Sequence, residues 1–417
     1  METPKDFNKE VNNITFDFIW NHKPAKIKKT TVISQKTAGG LNMRDFSIFD
    51  KALKLNWVKR LCSNSDAPWQ YIPRFFLAGV GGTELFKCNY DYKLLDFENL
   101  PDFYKQVISY WQDIAATTPK SKNEVLSQNI WNNRFITVNR KMLFFPRWNQ
   151  VGIRQISDLF DSHESRFLTF HSFRDNFDLK CNFLQYCSLL SSIPQSWKKL
   201  LHERSENIVK PPISICSLTC KTLYDMLLDL EDLPPPTSEK KILACGVERE
   251  DLNKIYLLPF QATKEIKLAM FQYKIIHQIL PTNSLLYKMK KVASPFCPFC
   301  PSEYHTIWHL FTQCTQATSF WNEFQEWYSF LSNTNLILSE LDVMFGITRC
   351  QNYCLALNHL IILGKYFIYV NALNTSKYRL NDFISLVREK INLEKYIAVT
   401  SNKEKEFENK WKHFLSV

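Results

Sequence analysis

Apolar residues recur at helical spacing along much of the chain. Phe46, Phe49, Leu53, Trp57 and Leu61 share one face of a helix expected over 45–61, with Lys51, Lys54 and Lys59 elsewhere on the wheel. Gly39 and Gly40 open the turn in front of it. Over 263–280, Ile266, Ala269, Met270, Tyr273, Ile276 and Leu280 fall on one face, while Lys264, Lys267, Lys274 and His277 lie toward the other. Shorter amphipathic stretches run through Ile153, Ile156, Leu159 and Phe160, and from Cys181 to Leu190. Ser401 and Glu404 predict a capping box ahead of a short charged helix reaching Phe414. The pattern predicts a mainly α protein built from several helical segments.

The most apolar run, from Cys354 to Leu373, is interrupted by Asn358, His359, Gly364 and Lys365 and predicts a buried helix rather than a membrane span. Residues 229–238 are acidic and then hold three consecutive prolines, which block helix continuation and stiffen the chain. The expected organisation is a basic helical segment over 1–118, a helical middle region over 119–232, a Pro-rich linker over 233–239 and a helical domain over 240–417.

Charge and cysteine usage narrow the function. The chain carries 52 basic and 41 acidic residues, a net charge of +11. Between Trp20 and Arg60 ten Lys/Arg face two Asp, so a polyanion is the expected partner. Lys23, Lys26, Lys28 and Lys29, flanked by Trp20 and His22, form one candidate nucleic-acid patch. Lys264, Lys267 and Lys274, with Lys288, Lys290 and Lys291, form a second. Twelve cysteines without an apolar leader predict a reducing compartment, cytoplasmic and/or nuclear, with free thiols or metal ligands rather than disulfides.

The most specific chemical signal is Cys297-Pro-Phe-Cys300 followed by His309 and Cys314. Two cysteines two apart form a knuckle that presents both thiolates to one tetrahedral ion, and a His and a Cys five apart can close the other side. Three sulfurs and one imidazole leave no position for water, so a Zn2+ held there is structural. His305 is a competitor for the histidine position. Cys350, Cys354 and His359 form a weaker candidate without a fourth ligand, and Cys181/Cys187 and Cys216/Cys220 are most simply core thiols.

Phe18-Ile-Trp-Asn-His-Lys-Pro-Ala-Lys-Ile27, Gly39-Gly-Leu-Asn-Met-Arg-Asp45 and Lys51-Ala-Leu53 resemble the segment just beyond the polymerase core of LINE-type retrotransposon reverse transcriptases. Phe271–Asn283 resembles the helix before that family's C-terminal cysteine-rich element. Cys297–Cys314 with Phe320-Trp321 resembles the element itself, and Ile361–Tyr369 the helix after it. The resemblance implies the tail of such a protein, with Met1 heading a truncated reading frame and 1–118 corresponding to the region after the thumb. It also implies an RNA-binding role for the residues that match, and a complete retroelement polymerase as a partner in trans.

No Phe/Tyr-Ala-Asp-Asp turn of the family's metal-binding palm occurs; Tyr224-Asp225 is followed by Met226-Leu227. Gly79-Val-Gly-Gly82 lacks the Lys-Ser/Thr of a phosphate loop. His163 with Glu164, and His171 with Asp175, have no nucleophile beside them. The expectation is non-catalytic binding of RNA or single-stranded DNA, with no membrane partner. The alternative is a helical scaffold, or an inert relic, that binds no nucleic acid.

Overall fold

The computed structural model describes residues 3–4, 6–63, 67–78, 82–87, 89, 100–115, 118–161, 164–202, 215–349 and 354–414. The protein is mainly helical. Among the described residues, strand pairing is confined to two short antiparallel ribbons, Thr137–Val138 with Lys141–Met142 and Phe160–Asp161 with Arg166–Phe167, and two isolated bridges. The chain divides into two compact units: residues 1–15 with 45–232, and residues 16–44 with 233–417. The basic N-terminal segment is therefore shared between two units rather than forming one with all of 1–118.

In the first unit the expected helix is present as Phe46–Cys62. Asp45 caps it by accepting the Ser47 and Ile48 N–H groups, and Asn12 accepts the Phe46 N–H. Its buried stripe is Ile48, Ala52, Leu55, Val58 and Leu61, so the core face is rotated from the predicted one and Leu53 is exposed. Aromatic rings drew the predicted face, but Phe46, Phe49 and Trp57 are only half-buried. Lys54 is buried because Asp50 and Gln106 accept its ammonium protons at 2.9 and 3.0 Å. The helix packs against Asp102–Ala115 and Cys220–Leu230.

Ile153, Ile156, Leu159 and Phe160 are all buried in a second core of this unit with Trp131, Trp148 and Phe173. Their backbone is a 3-10 turn, Ile156–Leu159, running into a strand, rather than an α-helical turn-and-a-half. The thiols of Cys181, Cys187 and Cys220 are half-buried rather than core. Gly79 and His163 lie outside the described residues, as do Cys350 of the weaker metal candidate and the side chain of Cys216.

The second unit is a helical assembly around the buried Cys354–Leu373 helix. Leu355–Leu373 is long and apolar enough to cross a membrane by composition alone, and 72% of that window is buried against its neighbours. Ile266–Ile276 packs beside it. That helix is buried on more sides than predicted: Leu268, Phe271, Gln272 and Ile275 are inside, Ile266 is 78% exposed, and His277 is buried. A helix clasped by several neighbours has no single polar face. Ser401 ends the Leu380–Thr400 helix instead of capping the next one, which runs Glu404–Trp411 from Lys403. His359, the last of the Cys350/Cys354/His359 set, accepts a hydrogen bond from Lys410, which pairs with Glu394.

Lys365 is wholly buried and donates to the Met344 carbonyl at 2.9 Å, at the end of the Glu340–Phe345 helix. Burial holds its ammonium far below the ordinary lysine range. The unfolded chain then binds more protons than the folded one below pH ~10.4, so this residue makes stability rise with pH. Lys365→Met is expected to raise the melting temperature at pH 7 and to flatten its rise between pH 7 and 10. Thermal denaturation across that range checks both effects.

Candidate metal centre

The knuckle is a short antiparallel hairpin. Phe296 pairs with Tyr304 in an isolated bridge; Cys297 N–H donates to the Glu303 carbonyl at 2.8 Å and Glu303 N–H returns to Cys300 at 2.9 Å. The alternating pleat sends Cys297 and His305 inward, where they are 3% and 4% exposed. The hairpin is tied to the preceding helix, Asn283–Lys288, by Asn283 N–H donating to His305 Nδ1 at 3.1 Å and by Ser284 N–H donating to the His305 carbonyl.

The other two donors come from a π-helical turn, His309–Gln313, and the residue that ends it. Thr306 Oγ1 accepts the His309 N–H at 3.1 Å, and Cys314 N–H donates to the His309 carbonyl at 2.7 Å. Cys314 is extended and opens the Thr315–Ser332 helix. The N–H groups of Gln316 and Ala317 at that helix start favour its thiolate.

The candidate donor atoms of Cys297, Cys300, His309 and Cys314 lie within 4.8 Å of one another. Cys314 Sγ is 3.9 Å from both Cys297 Sγ and Cys300 Sγ. Zn–S bonds of ~2.3 Å in a tetrahedron place sulfurs about 3.8 Å apart, so the spacing suits that ion. His309 is buried and its Nε2, like that of His305, has no hydrogen-bond partner; the position of its ring among the three sulfurs is what sets His309 apart. His305 lies outside this set, its Nδ1 already engaged by Asn283.

Electrostatics favour a cation. The hydrogen bond from Cys314 pulls the Cys297 thiol down to about 4, helped by the Phe299 and Cys300 N–H groups and by His309. The same bond, with burial, holds Cys314 far above the ordinary thiol range. Two thiols this close share one proton, and a divalent ion in its place would neutralise both thiolates. Tyr378 walls the site, a contribution no spacing in the sequence announces. Its ring meets Phe299 edge-on at 5.4 Å, and burial and then the three thiols push its hydroxyl upward.

The basic residues regroup. The ammonium of Lys26 is held below the ordinary lysine range by partial burial and then by Lys274, Lys291 and Lys23. These four lysines, from both predicted patches, therefore share one field within the second unit. Lys28, Lys288 and Lys290 are exposed and Lys29 is half-buried at the start of the Lys29–Ile33 helix. Lys267 instead lies over the Tyr366 ring at 5.0 Å, and Lys264 lies in the field of Lys410. Trp20 is half-buried with its Nε1 enclosed, so it is placed as packing rather than as an open ring.

No curated protein matches the chain. The family model described as zinc-binding in reverse transcriptase matches residues 244–321, which take in all four Cys/His donors and the helix before them. Residues 244–321 are thus a reverse-transcriptase-related region whose folded geometry gathers a donor set able to hold zinc.

Proposed function

We propose that this chain is the C-terminal part of a LINE-type reverse transcriptase and that it binds RNA or single-stranded DNA without catalysing a reaction. The regrouping of Lys23 and Lys26 with Lys274 and Lys291 carries this reading. Three lysines close enough to lower the proton affinity of Lys26 repel it in isolation, and all gain when phosphates settle between them. One structural zinc on Cys297, Cys300, His309 and Cys314 would fix the hairpin that follows Lys288, Lys290 and Lys291, and so order the surface presenting them. A complete polymerase acting in trans is the matching macromolecular partner.

The test is binding of the zinc-loaded chain to a labelled RNA oligonucleotide across a salt series. Affinity is expected to fall steeply as salt rises. Lys26→Ala with Lys274→Ala should make the log–log salt slope shallower by about 1.4 if two phosphate contacts are lost, at about 0.7 per single-strand contact. A folded, zinc-containing protein with no RNA binding would replace this reading with that of a scaffold.

A further inference from the structure

The pleat that turns Cys297 and His305 toward the metal centre turns their neighbours Phe296 and Tyr304 to solvent. The two rings lie with centroids 5.1 Å apart and planes inclined at 36°, yet remain 38% and 58% exposed. Cross-strand aromatic pairs support a hairpin, but this one is already fixed by its own backbone bonds, by Asn283 and by the donors beneath it. What the pair adds is an open π surface on a rigid base. Lys288, Lys290 and Lys291 are all exposed just ahead of it. The five residues from Lys291 to Phe296 span at most ~18 Å, so a strand of a few nucleotides can reach from one to the other. Glu303 is the single acidic residue between 283 and 306, so the local field favours an anion.

We infer that Phe296 and Tyr304 are a stacking platform for an unpaired base, so that the ligand of this surface is single-stranded nucleic acid rather than duplex. A base offers its face only when it is out of the duplex stack, whereas phosphates are offered by every nucleic acid. Lysines alone would not distinguish the two forms; an exposed aromatic pair does. This inference rests on the proposal that the neighbouring lysines bind nucleic acid, and the test below separates the two.

The experiment measures binding of the full, zinc-loaded chain to oligouridine, oligothymidine, an abasic strand of equal length and charge, and a duplex. The expected result is a preference of about five-fold or more for either base-bearing strand over the abasic strand and the duplex. Phe296→Ala with Tyr304→Ala should erase that preference while leaving the salt slope and zinc content unchanged, and Tyr304→Phe should retain it. Equal wild-type affinity for base-bearing and abasic strands would overturn the platform and leave the lysine reading standing, as would a preference that survives the double substitution. Should that double variant lose its zinc, the wild-type comparison of base-bearing with abasic strands decides. Failure of the wild type to bind any strand would remove both proposals.

Discussion

Replacing Cys314 by serine is expected to abolish zinc binding at the candidate centre and to unfold the region around it. Cys314 is wholly buried, its sulfur is 3.9 Å from both other thiols, and it opens the Thr315–Ser332 helix. A serine oxygen keeps the volume but is not a thiolate at neutral pH, so a four-donor set becomes a three-donor set in a closed site. Structural zinc contributes its binding energy directly to folding. The helix starting there carries Phe320, Trp321 and Phe324 into the core, so the loss spreads beyond the hairpin. The cost is on the order of 3 kcal/mol or more, which lowers the melting temperature by about 6–12 °C for a unit of this size. Cys245→Ser is the control: its thiol is half-buried, outside the cluster, and donates to the Lys241 carbonyl at 3.1 Å, so it should change little. Metal analysis beside thermal denaturation, with and without a chelator, checks the pair. A wild type that loses nothing to the chelator would contradict the assignment.

Gly40→Ala is expected to be nearly as damaging, by a different route. A methyl at residue 40 would sit 1.8 Å from the Ser34 carbonyl oxygen, 2.4 Å from its carbon and 2.7 Å from the Thr31 oxygen. All three are backbone atoms, so no side-chain rotation relieves the clash. The turn is closed around them: Gly40 N–H donates to the Gln35 carbonyl at 2.9 Å, and Leu41 and Met43 N–H both donate to Val32. Beside it, Gly39 has φ +80°, and its carbonyl accepts from the Tyr273 hydroxyl at 3.3 Å. Overpacking of this severity costs roughly 3 kcal/mol or more and should release residues 16–44 from the rest of their unit, taking Lys23 and Lys26 from Lys274. Hydrogen exchange should show protection lost at Val32 and Ser34 before other sites. At Gly246, φ is +90° but nothing lies within 4 Å of an added methyl, so Gly246→Ala is expected to cost only about 1 kcal/mol of backbone strain. Equal effects at the two glycines would show that the clash at residue 40 relaxes.

The candidate donor set was readable from spacing because its chemistry is local: two cysteines on one hairpin, a histidine and a cysteine at the two ends of one turn. Spacing already favours His309 over His305, and the fold gathers His309, not His305, with the three cysteines. The helix Phe46–Cys62 was legible in extent, but its inward side was not. Aromatic bulk marks a residue that packs somewhere, while Ala52 and a paired Lys54 mark the side where neighbours come closest. The lysine surface was legible only in halves. Lys26 and Lys274 lie far apart in the chain, and the Gly39-Gly40 turn that brings the first to the second encodes no contact in its spelling. The capping box expected at Ser401 failed because the preceding helix runs on through Thr400 and uses that serine as its own terminus.

The discontinuous second unit has a consequence for the order of synthesis. Its first part, residues 16–44, leaves the ribosome before residues 45–232, and the surface it belongs to begins at 233. At 5–20 residues per second the early piece waits roughly 10–40 s for Tyr256, Phe260 and Tyr273 to emerge. Throughout that interval the Gly39 turn lacks Pro236, Tyr256 and the Tyr273 hydroxyl, and Lys36 lacks the Phe260 ring. A recombinant fragment beginning at 233 faces the complementary problem indefinitely: Pro236 and Tyr256 lose the turn that packs against them, so supplying residues 16–44 as a separate peptide should raise its solubility.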